Sequence, residues 1–189
     1  MKVALIQMQV ASSPGENLQT ARTHLKDAAA GGADIAVLPE MFCCPYETPN
    51  FPRFAQKEGG EIWQTLSDMA KENSLYLVAG SVPEDDNGNT YNTSYVFDPE
   101  GKCIAKHRKV HLFDIDVKGG QRFMESETLT AGDSLTTFDT PWGKMGLCIC
   151  YDIRFPEWMR LMALEGAKAV FIPAAFNMTT DRKSTRLNS

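Results

Sequence analysis

Apolar residues recur along the chain at two spacings, one typical of strands and one typical of helices. Residues 3–10 form an apolar run that predicts a first strand. Over residues 18–30 the apolar positions step by threes and fours, which predicts an amphipathic helix that ends at Gly31-Gly32. Residues 35–38 then predict a short buried strand. These elements together indicate a βαβ unit with two parallel strands.

The remaining pattern predicts a mixed α/β fold. Helices are expected at 61–73 and 157–165, and strands at 75–82, 91–98, 103–109, 134–138, 144–149 and 169–172. Asn87-Gly88 predicts a tight hairpin turn. Two long loops, 41–60 and 112–130, separate these elements, and long ordered loops are often functional. Because several strands are continuously apolar, we expect a sheet covered on both faces.

Composition narrows the class of protein. The 189 residues suit one ordinary domain, and the net charge of −5 without a basic block argues against nucleic acid or an anionic membrane as partner. No apolar stretch approaches the roughly 20 residues that span a bilayer. The first residues lack a signal-peptide pattern, so a cytoplasmic location is expected. The odd number of cysteines, five, then predicts reduced thiols.

Three residues with reactive side chains lie at the ends of predicted strands. Glu40 follows the run at 35–39, Lys109 ends the strand at 103–109, and Cys150 follows the apolar run 145–149. Open α/β sheets tend to place their sites at the carboxyl ends of strands. Proline follows six residues after Cys150, which predicts a helix start, and we expect its dipole to favour the thiolate of Cys150.

The segments around these residues resemble a known family. Leu-Pro-Glu-Met-Phe at 38–42, His-Arg-Lys-Val-His at 107–111 and Cys-Tyr-Asp-Ile-Arg-Phe-Pro-Glu at 150–157 are similar to the three signature segments of the nitrilase superfamily. The resemblance covers residues 1 to about 180. It implies a carbon–nitrogen hydrolase domain folded as a four-layer α-β-β-α sandwich, with a Glu-Lys-Cys triad. The residue sequences at 40–46, 110–116 and 173–180 resemble those of the omega-amidase branch.

The resemblance implies a role for each triad residue. Cys150 is expected to attack the amide carbonyl, and Lys109 to stabilise the oxyanion together with the backbone N–H of Tyr151. Glu40 is expected to act as general base and acid. Composition alone does not separate Lys109 from its basic neighbours, whereas the motif does. Cys148, inside the strand, is interpreted as a packing residue.

The resemblance also suggests roles for two further residues, each with an alternative. Glu125 matches a glutamate that orients the lysine and the substrate in this family, although Glu127 lies close enough to compete for that role. Arg154 matches an arginine that pairs with the substrate carboxylate in omega-amidases, a task suited to its forked guanidinium. The alternative for Arg154 is a structural ion pair with Asp152 or Glu157.

A metal site is not favoured. His107 and His111 with Cys43-Cys44 could suggest zinc, but the histidine spacing fits a helix while the segment is predicted as strand and loop. No cofactor is expected, because the side chains supply the chemistry. The expected partner is a small-molecule amide, and family members commonly form dimers, so a homodimer of the full-length parent is predicted.

The end of the chain departs from the family. Residues 181–189 carry one large apolar residue and no periodicity, and they are interpreted as a foreign tail on a C-terminally truncated domain 1–180. The expected function is hydrolysis of the terminal amide of a small dicarboxylate monoamide, with release of ammonia. The alternatives are an N-carbamoyl amino acid or amine hydrolase on the same triad, and an inactive fragment. A true nitrilase is less favoured.

Overall fold

A computed structural model describes residues 1–176 of the chain. Two segments lie outside the described residues: the tail predicted at 181–189, and the last part, after residue 176, of the segment that resembles omega-amidases. The helices are α1 Pro14–Ala30, α2 Asn50–Phe54, α3 Glu61–Asn73 and α4 Pro156–Leu164. The strands are β1 Val3–Leu5, β2 Ile35–Val37, β3 Tyr76–Val78, β4 Val82–Asp86, β5 Asn89–Phe97, β6 Cys103–Arg108, β7 Asp114–Asp116, β8 Arg122–Met124, β9 Thr136–Thr140, β10 Gly143–Leu147 and β11 Ala169–Phe171.

Within residues 1–176, the larger sheet has six strands. β1, β2 and β3 are parallel neighbours, and the long strand β5 pairs antiparallel with β3 and β4 and also with β6. The predicted parallel pair of the first βαβ unit is therefore confirmed. The β4–β5 hairpin turns at Asn87 and Gly88, whose φ angles of 54° and 84° fall in the left-handed region that this dipeptide tolerates.

A second sheet, with three strands in the described part of the chain, packs face to face with the first. In it β10 pairs parallel with β11 and antiparallel with β9. Side chains alternate along β2: Ile35 and Val37 face a core shared with Phe138 and Leu147 of the second sheet. Ala36 belongs instead to the core formed with the helices α1 and α3. The first three layers of the fold are therefore the helices α1 and α3, the first sheet and the second sheet.

Helix α4 supplies the fourth layer. A Cβ atom on Gly146 of β10 would lie 2.6 Å from the Sδ atom of Met162, so the glycine lets α4 approach the second sheet closely. The predicted four-layer α-β-β-α sandwich is confirmed. Within residues 1–176, no helix has both the length and the apolar character needed to cross a lipid bilayer.

Several predicted boundaries differ from the structure. The first strand stops at Leu5 rather than residue 10, and α1 begins at Pro14 rather than Leu18, because proline suits the first turn of a helix. Asn17 reinforces this start, since its side chain bonds both the backbone N–H and the carbonyl of Ala11. The predicted loops contain short elements: α2 lies within 41–60, and the β7–β8 hairpin lies within 112–130.

Candidate active site

The three strand-end residues converge at one buried place. Glu40 follows β2 by three residues, Lys109 follows β6 directly, and Cys150 opens a short 3-10 turn, 150–154, beyond β10. The Nζ atom of Lys109 lies 2.9 Å from Oε1 of Glu40, and both side chains are fully buried. The site therefore joins strands from both sheets.

Lys109 is held between two carboxylates. Its Nζ atom lies 2.9 Å from Glu40 and also 2.9 Å from Glu125. Burial disfavours the ammonium, but the negative charges of Glu40 and Glu125 outweigh it and raise the pKa of Lys109 above its usual range. Lys109 is therefore a permanent buried cation at neutral pH, which is what an oxyanion stabiliser requires.

The basic neighbours of Lys109 point to the opposite face of β6. Lys106 and Arg108 both pair with the buried carboxylate of Glu84, and Arg108 also bonds Asp86. Alternate residues of a strand face opposite sides. The geometry thus separates Lys109 from the two basic residues that composition could not exclude.

The structure distinguishes Glu125 from Glu127. Glu125 is fully buried, bonds Lys109, and accepts a hydrogen bond of 2.7 Å from the backbone N–H of Phe113. Glu127 is exposed and pairs with Arg122. Burial raises the pKa of Glu125 above its usual value; the charge of Lys109 opposes this shift and that of Glu40 adds to it.

Cys150 adopts an unusual backbone conformation. Its φ angle of 46° lies in the left-handed region, which a non-glycine residue occupies at a cost of about 1–3 kcal/mol and which is found most often at functional sites. Its backbone N–H donates to the carbonyl of Pro173 at 2.9 Å, which ties the turn to the segment after β11. The turn aims the thiol at Glu40.

The expected thiolate at Cys150 is wrong. Burial raises the pKa of Cys150 well above its usual value, and the charge and hydrogen bonding of Glu40 add to this shift, while Lys109 opposes it. The predicted helix dipole does not act there, because a 3-10 turn follows Cys150 and α4 begins only at Pro156. The resting thiol is protonated, so an adjacent base must remove its proton.

Cys148 has the environment of a packing residue. It is buried, and its backbone N–H donates to Phe171 at 3.1 Å, which continues the pairing of β10 with β11. Burial, followed by the charge of Asp152, raises the pKa of Cys148 to about 12. Neither Glu40 nor Lys109 contributes to that shift.

Two residues of the site were not predicted from the sequence. The Tyr46 hydroxyl lies 2.9 Å from Oε1 of Glu40 and is also hydrogen-bonded to Glu125. The Asn92 amide donates to the same Oε1 atom at 2.9 Å, and its backbone carbonyl accepts the N–H of Lys109 at 2.8 Å. A signal existed for Asn92, because asparagine is depleted in strands and this one falls within the predicted strand 91–98.

A cleft of about 200 Å³ leads to Cys150. Arg154 and Tyr151 both line it, as the predicted substrate-binding roles require. Most of its remaining wall is aromatic or apolar; the other lining residues are Tyr46, Phe113, Gln121, Phe123, Ala175 and Phe176. Such a cleft, apolar with a few polar groups, suits a small organic substrate.

The residues considered for zinc have other contacts. His107 and His111 both bond the carboxylate of Asp152, while Cys43 and Cys44 are buried free cysteines in the helix-side core. Within residues 1–176, no group of three or more His, Cys, Asp or Glu side chains is arranged to hold a metal ion.

A glutamate, a lysine and a cysteine thus meet at the strand ends of a four-layer sandwich. Comparison with known proteins identifies the class of protein: the carbon-nitrogen hydrolase family model matches residues 2–186. The chain belongs to the carbon-nitrogen hydrolase family.

Individual relatives agree with this assignment. The chain is 52% identical over 179 residues to the omega-amidase NIT2 of Mus musculus and 50% identical to that of Homo sapiens. In both comparisons the match covers 95% of this chain but only 65% of the relative. Among solved structures, Nit3 of Saccharomyces cerevisiae, a member of branch 10 of the nitrilase superfamily, has a TM-score of 0.89 at 40% identity. That match covers 99% of this chain and 69% of Nit3.

Proposed function

We propose that this chain carries the active site of an amidase that releases ammonia from the terminal amide of a small dicarboxylate monoamide. The observation that carries the proposal is the Lys109 ammonium held between Glu40 and Glu125, with the thiol of Cys150 facing Glu40. The resemblance to omega-amidases supports the choice of substrate class.

In the first step Glu40 removes the thiol proton of Cys150. The raised pKa of Cys150 requires such a base, and Glu40 is the carboxylate that faces it. The thiolate then attacks the amide carbonyl carbon. The resulting oxyanion is stabilised by the ammonium of Lys109 and by the backbone N–H of Tyr151, the residue that follows the nucleophile at the turn.

Collapse of the tetrahedral intermediate releases ammonia. Glu40 returns the proton to the leaving nitrogen, the C–N bond breaks, and an acyl thioester forms on Cys150. Glu40 then takes a proton from water, which attacks the thioester, and the thiol leaves with that proton. Each step moves one proton through the same carboxylate, so no cofactor is required.

Arg154 provides the selectivity for a carboxylate. It lines the cleft four residues after Cys150, within a wall that is otherwise mostly apolar or aromatic. A guanidinium in such surroundings binds a carboxylate more strongly than it binds a neutral group.

The proposal is tested by measuring ammonia released by the 189-residue chain from 2-oxoglutaramate or 2-oxosuccinamate. A matched neutral amide of the same length and an N-carbamoyl amino acid are the comparison substrates. Preference for the dicarboxylate monoamide supports the proposal. Preference for the N-carbamoyl compound, with carbon dioxide released beside ammonia, would establish the alternative function. The homodimer and the cytoplasmic location stay predictions.

A further inference from the structure

Asp152 lies two residues after Cys150 and is completely buried. Its Oδ1 atom accepts the backbone N–H of His111 at 2.9 Å and lies 2.7 Å from the ring Nδ1 of the same residue. Its Oδ2 atom accepts the backbone N–H of Ile149 at 2.9 Å and lies 3.2 Å from Nε2 of His107. Each of the two oxygens therefore has two nitrogen partners, which is close to the number of hydrogen bonds that a carboxylate can accept.

These partners flank two residues of the proposed triad. His107 and His111 stand two residues before and two residues after Lys109, and Ile149 directly precedes Cys150. The contacts thus join the end of β6 in the first sheet to the turn after β10 in the second. Among the contacts described above, those of Asp152 hold both sides of Lys109 against the turn that carries the nucleophile.

We propose that Asp152 is a positioning residue whose carboxylate fixes the ammonium of Lys109 relative to the thiol of Cys150. The inference rests on the proposed function, because it assigns Asp152 a part in the same reaction. Catalytic groups must be held within about 0.5 Å of the productive geometry, so loosening this link should slow chemistry more than it weakens substrate binding.

The contacts require an ionised carboxylate. Burial acts to raise the pKa of Asp152, but hydrogen bonds from His107, Ile149 and His111 outweigh it and hold the pKa below its usual value. Each oxygen of Asp152 accepts a backbone N–H, from His111 or from Ile149. In an asparagine one of these oxygens becomes an NH₂ group, which cannot accept a hydrogen bond from a backbone N–H. Asp152→Asn therefore keeps the size of the side chain while it removes at least one of the contacts.

The chain offers a matched control in Glu84. This carboxylate is also buried and also binds β6, through Lys106 and Arg108, but on the face away from Lys109. Glu84→Gln consequently replaces a buried, ion-paired carboxylate on the same strand by its amide without touching the site. Comparing the two variants separates positioning of the site from general destabilisation of β6.

The experiment measures kcat, KM and thermal unfolding for Asp152→Asn and Glu84→Gln in the 189-residue chain. We expect Asp152→Asn to lower kcat about tenfold or more with KM changed less than threefold. Glu84→Gln should retain the kcat of the unmodified chain, even if its Tm falls as far as the Tm of Asp152→Asn. Equal kcat values in the two variants, or a loss confined to KM, would overturn the proposal.

A second variant covers the case in which Asp152→Asn does not fold. His111→Ala removes the Nδ1 contact of a partly exposed side chain and leaves its backbone N–H in place. It should lower kcat severalfold with KM unchanged. Full retention of kcat would contradict a positioning role.

A third measurement distinguishes failure of this inference from failure of the proposed function. Iodoacetamide alkylates an activated thiol whatever the physiological substrate, and mass spectrometry reports the modification at Cys150. If no amide substrate is turned over, the proposed function fails, yet alkylation of Cys150 should still be about tenfold slower in Asp152→Asn than in Glu84→Gln. An unchanged or faster rate would refute the link through Asp152.

Discussion

The ammonium of Lys109 lies 2.9 Å from the carboxylate of Glu40 in a site where both side chains are fully buried. Such a pair adds little net stability, because the cost of removing two charges from water offsets their attraction. We therefore expect the pair to serve the proposed reaction and not the stability of the fold. In the proposed reaction, a cation fixed at this place stabilises the oxyanion without reorganising.

The first prediction concerns the two neighbouring cysteines. Cys150→Ala should abolish ammonia release, since the thiol that faces Glu40 is then absent. Cys148→Ala should retain most of it, because Cys148 is a buried residue that continues the strand pairing. Steady-state ammonia assays of both variants check this. The nucleophile assignment fails if Cys148→Ala is the inactive one.

The second prediction compares Glu125 with Glu127. Glu125→Gln should lower kcat about a hundredfold, because an amide cannot both accept from Lys109 and meet the backbone N–H of Phe113. Glu127→Gln should leave kcat within twofold, since it disturbs only an exposed ion pair. Similar kcat values in the two variants would remove Glu125 from the site.

The same pair of variants predicts a pH dependence of stability. The pKa of Glu125 is raised in the folded state, so the native protein binds this proton more tightly than the unfolded chain. The contribution of Glu125 to stability therefore falls as the pH rises from about 4.3, the unfolded value, to the raised value. Across this pH window, the Tm should depend less on pH for Glu125→Gln than for Glu127→Gln. Parallel plots of Tm against pH for the two variants would contradict the raised pKa of Glu125.

The third prediction tests the hydroxyl group shared by the two glutamates. Tyr46→Phe removes the hydroxyl that lies within hydrogen-bond distance of both Glu40 and Glu125, while the ring stays packed against Phe51 and Phe123. We expect kcat to fall about tenfold, a part of the contribution of the general base, because the carboxylate of Glu40 loses one of the groups that orient it. Tyr91→Phe is the control.

Tyr91 stacks against Arg108 at 3.8 Å, and its hydroxyl has no part in the proposed mechanism. Its variant should therefore keep the kcat of the unmodified chain. If Tyr46→Phe is as active as Tyr91→Phe, the tyrosine does not orient the carboxylates.

The fourth prediction concerns substrate selectivity. Arg154→Ala should raise KM for dicarboxylate monoamides tenfold or more, since a hydrogen bond to a charged group is worth about 1.5–3 kcal/mol. KM for a neutral amide of the same length should change little. Arg160, an exposed arginine of α4, gives the control variant Arg160→Ala. A uniform loss with both substrates would indicate a structural arginine.

Much of this site follows from local sequence, and the reasons are physical. Strand alternation separates Lys109 from Lys106 and Arg108, and the turn after β10 separates Cys150 from Cys148. These features depend on residues close together in the chain, so the family motifs, which select Lys109 and Cys150, capture them. The parallel first strands and the Asn87-Gly88 hairpin are predictable from apolar periodicity and from the turn residues.

What escaped prediction depends on contacts between distant segments. Tyr46 reaches Glu125, which lies 79 residues further along the chain, and Asp152 reaches His107 across 45 residues. No local pattern encodes such pairings. The thiolate expected at Cys150 was wrong for a related reason, because burial against Glu40 outweighs any effect of the following turn.

The central claim is that Cys150 becomes acylated during turnover, and intact-protein mass spectrometry after rapid acid quenching tests it most directly. With a dicarboxylate monoamide as substrate, the account predicts a mass increase equal to the substrate minus ammonia, located by peptide mapping on Cys150 and absent from Cys150→Ala. Ammonia release without any adduct on Cys150, or with the adduct on Cys148, would contradict the account.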